Sequence, residues 1–227
     1  MRASTSGPAV PSTAGALPPH AGEPVGWAGA PLGESAAAIL VHGRNAGPRN
    51  ILDLARALDR PGLTYLAPGA AGGTWYPHSF LAPYGENEPG RSSGLSVIRC
   101  LVEQVVEAGV PRERILLLGF SQGACLTAEF AYRHPARFGG VVLFSGGLLG
   151  PPGTTWETVG SFQGTPVFLG CSDVDGHVPE ERVHESAAVF QAMGARVTKR
   201  IYPGMGHLVN EDEIAFTREL MDRIPAP

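Results

Sequence analysis

A serine flanked by glycines, in the pentapeptide Gly119–Gly123 (GFSQG), constrains the fold of this chain more than any other feature. The residues before it, 114–118, form a short apolar run that predicts a buried strand, and the Ala-rich residues after it, 124–132, predict a helix. Strand, tight turn with a serine at its apex, then helix is the context in which G-x-S-x-G forms a nucleophile elbow. Because strand and helix backbones approach closely at such a turn, side chains at the two glycine positions would clash. The pentapeptide therefore makes Ser121 a candidate nucleophile in an α/β domain.

Length and charge exclude several classes of protein. The 227 residues suffice for one α/β domain with a sizeable core, and the formal charge is −4 without any block of basic residues. This balance argues against a nucleic-acid partner and against binding to an anionic membrane surface. No apolar stretch approaches the length of a membrane span, so no membrane insertion is expected. The N-terminus lacks the continuous apolar core of a signal peptide, which favours a cytoplasmic location.

The three cysteines, Cys100, Cys125 and Cys171, are an odd number spread over predicted helix and strand. Reduced, partly buried thiols are the expected state. Cys125 lies four residues after Ser121 on the predicted helix, so we expect its side chain to point elsewhere and to serve packing.

The chain divides into a short N-terminal segment and one domain. Residues 1–22 are rich in Pro, Ala, Gly and Ser, which predicts a flexible tail, and residues 23–227 predict a single α/β domain. Val25–Ala30 and Ser35–His42 are interpreted as an antiparallel edge hairpin. Besides the strand 114–118 and the helix 124–132, strands are predicted at 63–67, 141–145, 167–170 and 197–202, and helices that begin near residues 48, 92, 181 and 211. This alternation predicts a mostly parallel sheet with helices on both faces.

A serine nucleophile needs a general base, and the base needs an orienting carboxylate. In this fold the order along the chain is Ser, acid, His, each on a loop after a strand. His207 follows the last predicted strand and is the candidate base, while the loop at 171–179 supplies two candidate acids, Asp173 and Asp175, between which the residues alone do not decide. The alternation of Cys171, Asp173, Asp175 and His177 matches no recognised metal-ligand spacing, so no metal site is expected.

Several segments together resemble the phospholipase/carboxylesterase branch of the α/β-hydrolases, over about residues 35–222. The similarity rests on the segments VHGR at 41–44, GFSQGA at 119–124, FSGG at 144–147, DGHVP at 175–179 and GH at 206–207. The resemblance implies an α/β-hydrolase fold without a separate lid domain. In that family the acid stands four residues before the proline of a D-x-x-V-P segment, which selects Asp175 over Asp173.

Two backbone amides are the candidate oxyanion donors. The N–H of Gln122, the residue after the nucleophile, follows from the elbow geometry. The resemblance assigns the second donor to the N–H of Arg44, where the family often carries a hydrophobic residue. An aromatic-rich loop and a later leucine are candidates for the substrate pocket: Trp75, Tyr76, Phe80 and Leu148. The alternative is that these aromatic side chains only hold the long loop against the domain.

The sequence thus predicts a serine carboxylesterase that acts on short- to medium-chain esters through Ser121, His207 and Asp175, without any cofactor. Its expected partner is a small-molecule ester, and the oligomeric state is open, a homodimer being one option. One alternative is a lysophospholipase or acyl-protein thioesterase that acts on long acyl chains. A more distant alternative is a non-catalytic ligand-binding protein on the same fold.

Overall fold

The computed structural model describes residues 11–60 and 62–225, which build a seven-stranded sheet of order β1-β3-β2-β4-β5-β6-β7. Only β1 is antiparallel to its neighbour, and every other pairing is parallel. The predicted mostly parallel α/β architecture is therefore confirmed. The strands are β1 (Val25–Gly29), β2 (Ala37–Val41), β3 (Thr64–Pro68), β4 (Ile115–Phe120), β5 (Gly140–Phe144), β6 (Pro166–Ser172) and β7 (Arg196–Tyr202).

Five helices cover the two faces of this sheet. They are α1 (Pro48–Leu58), α2 (Gly90–Glu107), α3 (Gln122–Arg133), α4 (Glu180–Ala192) and α5 (Glu211–Asp222). Helices α2, α3 and α4 share one apolar core with one face of the strands, and α1 and α5 share a second core with the other face. Strands β2, β3 and β5 are buried throughout because helices cover both faces of the sheet, which explains why their sequences are almost entirely apolar.

The predicted hairpin of Val25–Ala30 with Ser35–His42 is wrong in its pairing. Strand β1 is an antiparallel edge strand as expected, but its partner is β3, and β2 lies between β3 and β4. The reason is the burial of β2, which is apolar at every position and is stabilised by parallel neighbours on both sides. The seven residues 30–36 connect β1 to β2, and they contain a turn in which the Glu34 N–H donates to the Pro31 carbonyl, but the two strands that they join do not pair.

Part of the predicted flexible tail, 1–22, also needs correction. Residues 1–10 lie outside the described residues, but residues 11–22 pack along α2. Thr13 and His20 are each only 1% exposed in this segment. Ser and Gln side chains of α2 form hydrogen bonds with the backbone of residues 11–22. The composition of that segment, rich in Pro, Ala and Gly, does not reveal these contacts.

The loops that follow β2, β4, β6 and β7 open at the carboxyl edge of the parallel sheet, where ligands bind in open α/β folds. These four loops carry Arg44, Ser121, Asp175 and His207, in that order. The topology therefore brings the predicted site residues to one edge.

Candidate active site

Ser121 stands at a strained turn between β4 and α3. Its backbone has φ 55° and ψ −122°, a conformation that a non-glycine residue rarely adopts. A Cβ atom on Gly119 would lie 2.4 Å from the Gly123 carbonyl oxygen, and one on Gly123 would lie 2.1 Å from the Val41 carbonyl oxygen. The two glycines thus allow the close approach of strand and helix that presents the Ser121 hydroxyl at the end of the sheet.

The structure brings Ser121, His207 and Asp175 into one hydrogen-bonded chain. His207 Nε2 lies 2.8 Å from Ser121 Oγ, and His207 Nδ1 lies 2.7 Å from Asp175 Oδ2. With Nδ1–H donating to the carboxylate, Nε2 carries the lone pair that accepts the serine hydroxyl proton. This arrangement can activate the hydroxyl for attack on a carbonyl carbon.

Asp175 is suited to stay ionised although its side chain is fully buried. Burial opposes ionisation, but hydrogen bonds from His207 and from the amides of His177 and Val178 outweigh it and hold the pKa of this carboxyl below its ordinary value. The second candidate, Asp173, does not reach His207, since its Oδ1 accepts the Gly204 N–H at 2.8 Å. Asp173 therefore shapes the loop before His207, and Asp175 contacts the imidazole.

The two candidate oxyanion donors come from different loops beside Ser121. Arg44 follows β2, and Gln122 is the first residue of α3. Within the described part of the chain, neither amide N–H donates to a protein acceptor. Both residues line the same cavity as Ser121 and His207. Two unpaired amides at one site can stabilise the negative charge that develops on a carbonyl oxygen.

The cavity at the triad has a volume of about 550 Å³. Of the four residues predicted for its wall, Tyr76 and Phe80 line it, whereas Trp75 and Leu148 do not. Trp75 is fully buried beneath the loop, where its indole N–H donates to the His42 carbonyl at 2.9 Å. Leu148 is also fully buried, and its amide donates to Ser186 Oγ. The aromatic loop thus has both expected roles, since some of its side chains form the wall and others hold the loop in place.

The side chain of Arg44 connects the loop after β2 to the wall of the cavity. Its Nη1 donates to the Pro77 carbonyl at 2.9 Å, and its Nη2 donates to the His78 carbonyl at 2.6 Å. On the other side, the Gln122 side chain accepts the Trp75 N–H and donates to the Tyr76 carbonyl, at 2.9 and 2.8 Å. The loop between β3 and α2, residues 69–89 and here termed the wall loop, is therefore hydrogen-bonded to both residues that carry the candidate oxyanion donors.

Sequence reasoning missed several residues of the cavity, among them two histidines and a cysteine. His177 lies beside the triad, with its ring centroid 4.7 Å from that of His207, and His78 lies in the wall loop. The place of His177 inside the DGHVP segment was the available signal. Cys125, which was expected to point elsewhere, also lines the cavity, but burial raises the pKa of its thiol to about 12. A thiol that stays protonated is a poor nucleophile.

Two further features of the described residues concern metal sites and membrane spans. Within residues 11–60 and 62–225, no three His, Cys, Asp or Glu side chains converge as a metal site would require. Every helix in the described part of the chain falls short of the combined length and apolar character that a bilayer span needs.

The sequence of this chain is similar to a family model and to several curated proteins. A family model described as Phospholipase/Carboxylesterase matches residues 59–223. Acyl-protein thioesterase 1 of Eremothecium gossypii is 34% identical over 166 residues, which cover 68% of this chain and 66% of that protein. A probable carboxylesterase of Oryza sativa subsp. japonica is 27% identical over 150 residues, which cover 64% of this chain and 56% of that protein. The match thus spans between about half and two thirds of the length of these curated relatives.

Solved structures show a similar relationship. The crystal structure of a phospholipase/carboxylesterase from Dyadobacter fermentans matches with a TM-score of 0.85 and 34% identity, over 92% of this chain and 100% of that chain. A carboxylesterase of Bacillus cereus matches with a TM-score of 0.73 and 17% identity, over 88% of this chain and 94% of that chain. At this lower identity the likeness shows the fold alone.

Proposed function

This chain belongs to the phospholipase/carboxylesterase family, and we propose that it is a serine carboxylesterase for short- to medium-chain esters. The observation that carries the proposal is the hydrogen-bonded chain from Ser121 through His207 to the buried Asp175, at the edge of a cavity of about 550 Å³. A cavity of this size falls in the range of small-molecule sites.

In the proposed mechanism, Ser121 Oγ attacks the ester carbonyl carbon while His207 Nε2 takes the hydroxyl proton. Asp175 holds the imidazole in the required tautomer and stabilises its protonated form. The amide N–H groups of Arg44 and Gln122 receive the negative charge of the tetrahedral oxygen, where each donor typically contributes about 3 kcal/mol. His207 then protonates the leaving alcohol, which leaves an acyl group on Ser121.

Water completes the proposed cycle. His207 accepts a proton from a water molecule that attacks the acyl carbonyl, and it returns this proton to Ser121 Oγ as the acid is released. Every proton transfer in the two half-reactions passes through the same nitrogen, Nε2. The residues present are sufficient for this chemistry.

The alternative function is thioester or lysophospholipid hydrolysis with long acyl chains. It is favoured by the 34% identity to the protein named acyl-protein thioesterase 1. The same triad would serve this reaction, because a thioester carbonyl is attacked in the same way. The two functions differ in the acyl length that the wall of Tyr76 and Phe80 admits.

A series of p-nitrophenyl esters of increasing acyl length tests the proposal. We expect kcat/KM to fall as the chain lengthens beyond medium length, and Ser121→Ala and His207→Ala each to lower kcat by at least about 10³-fold. Ser35→Ala is the matched control, since Ser35 lies in the connection between β1 and β2, far from the carboxyl edge of the sheet. A rise toward long chains favours the alternative. If a folded Ser121→Ala protein turned over these esters at the wild-type rate, both proposed functions would be contradicted.

A further inference from the structure

Residues 12–22, here termed the N-terminal strap, lie along α2 and are held by its side chains. Ser96 Oγ accepts the Leu17 N–H at 2.7 Å, and Ser93 Oγ donates to the Leu17 carbonyl at 2.6 Å. Gln104 binds both backbone groups of Ser12, at 2.9 and 2.6 Å. These contacts fix the course of the strap up to His20.

The ring of His20 connects the strap to the wall loop of the cavity. Its Nδ1 lies 3.0 Å from the Ala71 amide nitrogen, and its Nε2 lies 2.9 Å from the Trp75 carbonyl oxygen. Because an amide N–H only donates and a carbonyl only accepts, Nδ1 is assigned as the acceptor of the Ala71 N–H and Nε2 as the donor to the Trp75 carbonyl. The ring also packs edge-on against the Trp75 indole, with centroids 5.3 Å apart, and His20 is 1% exposed.

Trp75 also contacts both segments that carry the candidate oxyanion donors. Its backbone N–H donates to Gln122 Oε1, and its indole N–H donates to the His42 carbonyl, each at 2.9 Å. His42 precedes Gly43 and Arg44 in the loop after β2. Trp75 therefore contacts His20 and both donor segments.

We propose that His20 is a positioning residue of the active site, and that the N-terminal strap acts through it to hold Trp75 and thereby the two oxyanion donors. This inference rests on the proposed hydrolase function. The proposal requires the contact from Nε2 to Trp75 more than the contact from Nδ1 to Ala71, since Trp75 touches Gln122 and His42. Small displacements of such donors have large effects on rate, because oxyanion stabilisation depends on preorganised geometry.

Three substitutions at position 20 separate the two contacts. In His20→Gln, the side-chain amide nitrogen occupies about the place of Nε2 and can still donate to the Trp75 carbonyl. In His20→Asn, the side-chain oxygen occupies about the place of Nδ1 and can accept only the Ala71 N–H. His20→Ala removes both contacts. His184→Ala is the matched control, because His184 is exposed on α4 and pairs with Glu180 outside the cavity.

The experiment measures kcat and KM for p-nitrophenyl butyrate with the full-length chain, together with Tm, for all four variants. We expect His20→Ala and His20→Asn to lower kcat by about tenfold with KM within about twofold of wild type, and His20→Gln to retain kcat within about threefold. The control should match wild type. A purely structural role predicts instead that kcat per folded protein is unchanged while Tm falls.

The outcomes separate this inference from the proposed function. If the wild type shows Ser121-dependent turnover but His20→Ala equals it, the positioning role is wrong and the hydrolase function stands. Equal losses in the Gln and Asn variants would also contradict the positioning role. If His20→Ala does not fold, the comparison of Gln with Asn decides. Absence of Ser121-dependent turnover in the wild type would refute the proposed function itself.

Discussion

Substitution of the buried Glu213 should stabilise this protein at alkaline pH. Glu213 lies in the first turn of α5, six residues after His207, and its side chain is fully buried. One carboxyl oxygen accepts the Asn210 N–H at 2.9 Å, whereas the other has no partner among the described residues. That second oxygen faces Gly170 of β6, where an added Cβ would lie 2.0 Å from it. No cation among the described residues pairs with this carboxylate, so its ionisation is unfavourable.

The size of the effect follows from the pKa of this carboxyl. Burial raises the pKa of Glu213 from 4.5 to about 7, with the charge of Asp212 adding to the effect and the Asn210 hydrogen bond opposing it. Between these two pH values the folded protein holds a proton that the unfolded chain has released. The contribution of Glu213 to the free energy of unfolding is therefore greatest below pH 4.5. It falls by about 1.4 kcal/mol per pH unit as the pH rises to 7, which amounts to about 3 kcal/mol in all.

Glu213→Gln keeps an oxygen for the Asn210 N–H and cannot ionise. We expect the variant to match the wild type near pH 4.5 and to exceed its free energy of unfolding by about 3 kcal/mol above pH 7. Urea unfolding at pH 5, 6, 7 and 8.5 measures this difference directly. Glu211→Gln is the matched control, since Glu211 is exposed in the same helical turn. A difference that does not change with pH, or a variant less stable at pH 8.5, would refute the reasoning.

Two further predictions concern the site. Asp175→Asn should lower kcat by about 10⁴-fold because the wrong imidazole tautomer is then favoured, whereas Asp173→Asn should change kcat little. Kinetics with p-nitrophenyl esters on both variants measure the two effects. If Asp173→Asn has the larger effect, the acid of the triad is misassigned. Arg44→Met should raise KM by a few fold with little change in kcat, since the backbone donor remains while the bonds to Pro77 and His78 are lost. Partial recovery of KM is expected in Arg44→Lys, and a loss confined to kcat would contradict the role of the side chain.

The parts of the site that depend on local sequence were predictable. The turn at Ser121 is specified by its two glycines and by the apolar strand and helix that flank it, all within about 20 residues of chain. His207 and the acid could be placed because parallel strands bring the loops at their carboxyl ends to one edge. The choice between Asp173 and Asp175 depends on which carboxylate faces the imidazole, and only the resemblance to a family gave a reason to prefer Asp175.

The parts that depend on distant contacts were not predictable. The strap is held by Ser93 and Ser96, more than 70 residues away, and no pattern in its own composition indicates a partner. The pairing of β1 with β3 likewise depends on β2 filling the interior position of the sheet. Trp75 was assigned to the pocket as part of an aromatic-rich loop, but neighbouring residues of an irregular loop can point in different directions, and here Trp75 is buried while Tyr76 lines the cavity.

Arg44 stands where the family often carries a hydrophobic residue, and its side chain makes hydrogen bonds that such a residue cannot make. A hydrophobic residue at this position could pack on the wall loop but could not bind its carbonyls, whereas the guanidinium donates to Pro77 and His78 at once. The same loop is bound through Trp75 by Gln122 and through His20 by the strap. Side chains outside the triad therefore fix the wall loop from three directions. Loss of the Arg44 bonds should therefore act mainly on KM, because they hold the cavity wall, whereas loss of the His20 bond to Trp75 should act mainly on kcat, because Trp75 contacts both donor segments.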